Sequence, residues 1–137
     1  MSKAPNVDNE FRDALLFLDH PGNGWHSQTT TGIDRRDTNA GLNLFYLQAL
    51  QAMAQLEGAL DQDTAALVRE VEQMKRALGR HCLVRQRGLV ADAGGQQIDS
   101  PRFSQIVNAL AVTTGLLEHK AARHALKMVM PVMLRST

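Results

Sequence analysis

The sequence predicts a mainly α fold made of helical hairpins joined by short strand-like loop segments. Between Thr38 and Met130, apolar residues recur at three- and four-residue steps in successive stretches, the spacing that gives a helix one burying face. Turn-forming clusters, Asp61-Gln62-Asp63-Thr64 and Gly115, divide these stretches into pairs. A chain of 137 residues with 44% hydrophobic content can fill the core of one domain of ordinary size.

Charge and composition narrow the function classes. Fifteen basic residues stand against fourteen acidic ones, a formal charge of +1. There is no basic run with interleaved aromatics of the kind nucleic acid demands, so no nucleic-acid partner is expected. Cys82 is alone and cannot close an internal disulfide. The polar start Met1-Ser2-Lys3-Ala4-Pro5-Asn6 lacks a signal core, and no run approaches the roughly 20 apolar residues that cross a bilayer. The expectation is a soluble, cytoplasmic protein with no membrane partner.

Residues 1–13 read as a flexible N-terminus and 14–137 as one helical domain. Leu15-Leu16-Phe17-Leu18 is a short apolar run, a strand or buried extended segment, stopped by Asp19-His20-Pro21-Gly22. Residues 22–37 hold Gly22, Gly24, Thr29-Thr30-Thr31 and Gly32, long for a plain connection and of the kind that is functional or disordered. Asp34-Arg35-Arg36-Asp37 reads as solvated surface. With Asp37 or Thr38 as N-cap, a helix runs to about Leu60, Gly58 weakening its end. Leu42, Phe45, Tyr46, Ala49, Ala52, Met53 and Leu56 are its expected core face.

Asp61-Gln62-Asp63-Thr64 supplies a turn and a new cap. The next helix turns Leu67, Val68, Val71, Met74, Ala77 and Leu78 inward, completing an antiparallel pair, with Glu72 and Arg76 as an exposed i, i+4 support. From His81 to Asp92, two apolar runs flank a Gly88-containing turn, an irregular loop or small hairpin that Ala93-Gly94-Gly95-Gln96-Gln97 continues without periodicity. Ser100-Pro101 opens a third helix to Thr114. Its face is Phe103, Val107, Leu110 and Ala111, while Ser104, Gln105 and Asn108 suit a capped start or a polar pocket. Gly115 ends it. A fourth helix from about Glu118 to Met130 carries Ala122, Ala125, Leu126 and Val129 inward, and Pro131 stops it.

The two pairs share a rough plan, with Asn39-Ala40-Gly41-Leu42 opening one and Asn108-Ala109-Leu110 inside the other. Repeated helical hairpins are the unit of solenoids and α/α toroids, which bury their faces by stacking neighbours.

Reactive constellations are scarce. His20 and His26, His81 beside Cys82, and His119 with His124 do not set ligands on one helix face, so neither a metal site nor a cofactor is expected. Nucleophile elbows, phosphate-binding glycine loops and dinucleotide fingerprints are absent from the sequence. Asp19, between an apolar run and Pro21-Gly22, is the best placed single carboxylate, or else a turn-forming aspartate.

A family resemblance arises from four motifs taken together. These are Phe17-Leu18-Asp19-His20-Pro21-Gly22; Thr38-Asn39-Ala40 leading into Leu44-Phe45-Tyr46-Leu47-Gln48-Ala49-Leu50; Arg87-Gly88-Leu89-Val90-Ala91-Asp92; and Ser104-Gln105-Ile106-Val107-Asn108-Ala109-Leu110-Ala111-Val112. In order and spacing they resemble successive pieces of the six-hairpin catalytic domain of bacterial α-L-rhamnosidases, over roughly residues 15–130. The resemblance implies helical hairpins forming part of an (α/α)6 toroid that hydrolyses terminal α-L-rhamnosides with inversion, using a carboxylic acid and a carboxylate base on opposite sides of the sugar.

By the same resemblance, Asp19, His20 and Trp25 are substrate-binding residues for the rhamnoside. Asp19 matches the aspartate of the family's Asp-Trp step, His20 stands where a sugar-stacking tryptophan is common, and Trp25 offers an aromatic face nearby. Val107 stands where family members often carry a polar residue. No carboxylate of this chain matches the family's acid or base, so the chain is expected to be an internal piece of such an enzyme or the product of a truncated gene, inactive alone. The competing expectation is a non-enzymatic helical interaction module, self-associating through exposed apolar helix faces, with Met128, Met130 and Met133 as adaptable contact surface.

Overall fold

Asn39 begins the helical part of the structure, a computed structural model that describes residues 38–94 and 101–130. Its backbone is extended, and its Oδ1 accepts the Leu42 N–H at 2.9 Å. That satisfies one of the donors a helix start leaves orphaned. The cap is therefore Asn39, and not Asp37 or Thr38 as the sequence suggested. Thr38 instead belongs with Asn39 to a two-residue strand, β1 (Thr38–Asn39), which pairs antiparallel with β4 (Ala93–Gly94). The expected apolar run at Leu15-Leu18, the loop at 22–37 and the stop at Pro131 lie outside the described residues.

Helix α1 (Ala40–Ala59) is 20 residues long and includes Gly58. It turns through Leu60 and Asp61 into α2 (Ala65–His81). Thr64 is the N-cap of α2 by position, but its side chain makes no cap bond. Asp63 Oδ1 does that work, accepting the Ala65 N–H at 2.9 Å. After α2, β2 (Leu83–Val84) and β3 (Leu89–Val90) form the small antiparallel hairpin, Leu83 opposite Val90. Gly88 sits in its turn at φ +64°, where a side chain is costly, and a Cβ there would lie 2.9 Å from His124 Cδ2.

The third helix, α3 (Gln105–Thr113), starts later than expected. Ser104 is its N-cap, accepting the Val107 N–H with its hydroxyl at 3.3 Å. Pro101 and Arg102 remain outside the helix. As expected, Gly115 follows its end in the left-handed region, at φ +72°, its N–H on the Val112 carbonyl. Helix α4 (His119–Val129) completes the second hairpin. The fold is thus mainly α, two helical hairpins with short strand segments between them. Helix α1 packs on both α2 and α3, and α3 packs on α4.

The core draws on every helix. Leu44, Leu47 and Leu50 of α1 meet Val71 and Leu78 of α2, Val107 and Ala111 of α3 and Ala125 of α4, with Leu89 and Val90 of the hairpin. The expected faces of α2, α3 and α4 are found, Val68 alone on α2 turning outward. The expected face of α1 is not. Phe45, Tyr46, Met53 and Leu56 are 45, 47, 48 and 67% exposed, whereas Leu44 and Leu47 are fully buried. Glu57 is the single charged residue of α1, so apolar side chains circle most of the helix and its spacing fits more than one face.

No helix among the described residues is long and apolar enough to cross a membrane. Among the described glycines, Gly94 in β4 has the tightest surroundings. A Cβ on Gly94 would lie 2.5 Å from the His81 carbonyl oxygen and 2.8 Å from Cys82 Sγ, at the end of α2. Gly94→Ala should therefore push β4 off α2 and lower stability by about 1–3 kcal/mol, the usual cost of overpacking. The urea midpoint should fall while Gly79→Ala, which meets nothing within 4 Å, leaves it unchanged or raises it.

Candidate functional site

Three of the motifs quoted above, far apart in sequence, meet at one buried polar knot. Asn39, Asp92 and Asn108 are 3, 1 and 0% exposed, a degree of burial that polar side chains tolerate only with partners. The segment from Val90 to Asp92 runs between the starts of α1 and α3 and bonds to both.

Asn108 holds Val90. Its Oδ1 accepts the Val90 N–H at 2.9 Å, and its Nδ2 donates to the Val90 carbonyl and to the Ser104 carbonyl, both at 3.0 Å. Asn108 lies one helical turn beyond Ser104, which places its amide against the strand while α3 continues. Asp92 holds the two helix starts. Its carbonyl accepts the Ala40 N–H at 2.8 Å, and its Oδ1 accepts the Ser104 N–H, also at 2.8 Å. A carboxylate suits this position, because the orphan N–H groups at the start of α3 carry partial positive charge. Asn39 adds the cap on α1, and Asn43 Nδ2 returns to the Asn39 carbonyl at 2.7 Å.

Every buried side-chain nitrogen and oxygen among the described residues has a hydrogen-bond partner. Both Asn108 amide hydrogens and its oxygen are engaged inside the protein, so its amide acts as a brace rather than as a ligand. The shared Asn-Ala pattern of the two hairpins is not an equivalent position: Asn39 caps its helix, and Asn108 lies within its own.

Two surface hollows lie elsewhere. A cleft of about 440 Å³ at the end of α3 is lined by Thr114, Glu118, His119 and Ala122 among others. His119 has φ +47°, a conformation rare for a residue with a side chain. A groove of about 300 Å³ runs past Gln51, Gln55, Val71 and Thr113, where Gln51 Nε2 reaches across to the Thr114 carbonyl at 2.7 Å. Among the described residues no three His, Cys, Asp or Glu side chains gather to hold a metal ion. His124 Nε2 donates to the Arg87 carbonyl at 2.9 Å, pinning α4 to the hairpin turn, and the Arg87 guanidinium lies 5.5 Å over the Phe103 ring. Cys82 is buried.

Asp19, His20 and Trp25, the expected sugar-binding residues, lie outside the described residues. The polar-pocket reading of Asn108 is met in full, and the cap reading of Ser104 likewise. The sequence presents Asp92 as the end of the hairpin loop and of one motif, without a structural role, because the carboxylate's partner is a backbone N–H twelve residues away and leaves no local pattern.

One exposed phenol has a shifted ionisation. Tyr46 donates its hydroxyl to Glu70 Oε1 at 2.7 Å, tying α1 to α2. The hydrogen bond to the carboxylate, then its negative charge, raise the Tyr46 phenol above its ordinary value of 10.0. The folded-state value is raised, so the bond's contribution is present below the unfolded value and is lost as pH rises through the folded one. The chain matches no family model, and no curated protein or solved structure matches it either.

Two outcomes follow from this geometry. Asn108→Ala strands the buried Val90 N–H and should cost at least about 2 kcal/mol by urea denaturation, with the hairpin amides losing exchange protection first. Because Tyr46 is the only tyrosine, absorbance titration at alkaline pH should report its midpoint above 10 and show Glu70→Gln moving it down.

Proposed function

We propose that residues 38–130 are two neighbouring hairpins of a sugar-cleaving α/α toroid that resembles the α-L-rhamnosidases. The observation that carries this reading is the division of labour among the helices. The first helix of each hairpin is nearly without charge: α1 has Glu57 alone, α3 has none, and the two pack on each other. The second helix of each is amphipathic and charged, α2 bearing Arg69, Glu70, Glu72, Lys75, Arg76 and Arg80, and α4 bearing Lys120, Arg123 and Lys127. An inner ring of apolar helices inside an outer ring of amphipathic ones has this pattern, since inner helices meet neighbours on several sides and outer helices meet water. The convergence of the three motifs on one knot adds support, because it gives each a shared structural reason to occur in that order.

In the intact enzyme this proposal gives Asp19, His20 and Trp25 the terminal rhamnosyl residue. Asp19 would hold sugar hydroxyls, and Trp25 an apolar sugar face. Inverting hydrolysis needs an acid and a base about 6.5–9.5 Å apart across the sugar, and no carboxylate of this chain matches either one. The purified chain should accordingly show no turnover of an aryl α-L-rhamnoside above a blank preparation. The coding sequence on either side decides the reading itself. An Asp/Glu-rich segment upstream and an aromatic-Glu segment downstream support it, and an unrelated context on both sides overturns it.

A second reading, a helical interaction module, has its own observation in the exposed apolar side of α1. Exposed large apolar groups in series mark surfaces that another element covers.

A further inference from the structure

The apolar side of α1 has an order beyond exposure. Leu42, Tyr46, Ala49, Met53 and Leu56 of α1, with Leu60 just past its end, are all exposed and follow one another at steps of four, three, four, three and four residues. That is the heptad spacing of a helix seam, in which two helices wind together with side chains interleaved. The buried face of α1, Leu44, Leu47 and Leu50, is separate from it, so among the described residues the seam stays uncovered while the core is filled.

Charge and size select the occupant. Glu57 is the single charge of α1, and the positions beside the seam include Phe45, Gln48, Ala52, Gln55 and Ala59. Such flanks offer nothing to attract a basic or acidic partner, and they do not repel a copy of themselves. Parallel pairing of two copies would set Ala49 against Ala49, a gap, and would align the two helix dipoles. An antiparallel pair centred on Gln51 avoids both. It sets Leu42 against Leu60, Tyr46 against Leu56 and Ala49 against Met53, small against large. It also moves the two Glu57 carboxylates about 18 Å apart along the axis at 1.5 Å per residue, and it opposes the helix dipoles.

We propose that the α1 seam is a homodimer interface in which two copies of this chain pair antiparallel about a two-fold axis at Gln51. A two-fold pair uses the same patch twice, which a self-complementary seam provides. Tyr46 enters already oriented, because Glu70 holds its hydroxyl. The inference concerns this chain alone, and in the toroid reading the same face of α1 would meet neighbouring helices of the intact enzyme.

Sedimentation velocity over a concentration series should show a monomer–dimer equilibrium. Met53→Glu with Leu56→Glu should leave a monomer of unchanged helical circular dichroism, since both side chains are exposed in the single chain. For the register, Ala49→Cys chains mixed with Met53→Cys chains should oxidise mainly to the mixed disulfide dimer, the native cysteine being buried. A chain monomeric at every concentration would overturn the proposal, the face then having another occupant. So would self-linked dimers of each single variant in preference to the mixed one, or association that survives the double glutamate substitution. Each of these outcomes leaves the reading of the neighbouring coding sequence unaffected, so the two ideas fail separately.

Discussion

The amide of Asn108 bonded to the backbone of Val90 is the contact on which the arrangement of the rest depends. A two-residue strand has little pairing of its own, and Val90 carries an N–H and a carbonyl that a fully buried position must satisfy. Asn108 satisfies both at once, its amide standing in for the edge of a neighbouring strand. The result fixes the hairpin against α3 in one register, because a shift by a residue would bring no second amide into place.

Everything beyond Val90 inherits that register. Asp92, two residues on, can reach both Ala40 and Ser104 only while Val90 is held, and through it the starts of α1 and α3 are tied to one short segment. Gly94 then passes close to the end of α2, where nothing larger fits. His124 closes the other side, joining α4 to the hairpin turn. Four helices are thus located by a few residues of loop, and Leu44, Leu47, Val107 and Ala111 fill the space between.

Much of this was legible in the residues. Ser104 and Asn108 are short polar side chains at the head of an apolar helix, where hydrogen bonding to backbone is their favoured role, and they perform it. Gly115 ends α3 as a residue free to adopt positive φ should. The hairpin at residues 81–92 was visible as two apolar runs around Gly88. The cap of α1 was misplaced by one or two residues, because Asp37, Thr38 and Asn39 are all good caps and only the pairing of Thr38 with Gly94 takes that position out of contention. Asp92 stayed hidden within a loop, since the N–H it accepts belongs to another helix.

By itself the sequence determined the number and order of the described helices, their hairpin pairing, the turns between them and the inward faces of α2, α3 and α4. These are local matters of period and turn chemistry, or of a single polar side opposite a single apolar one. Which side of α1 faces inward was a decision of the tertiary structure. A helix with one charge in 20 residues presents no polar side to exclude. Packing against α2 and α3 took Leu44, Leu47 and Leu50 and left the heptad-spaced seam outside, because three neighbouring leucines fitted the space that the Asn108 and Asp92 contacts had already set.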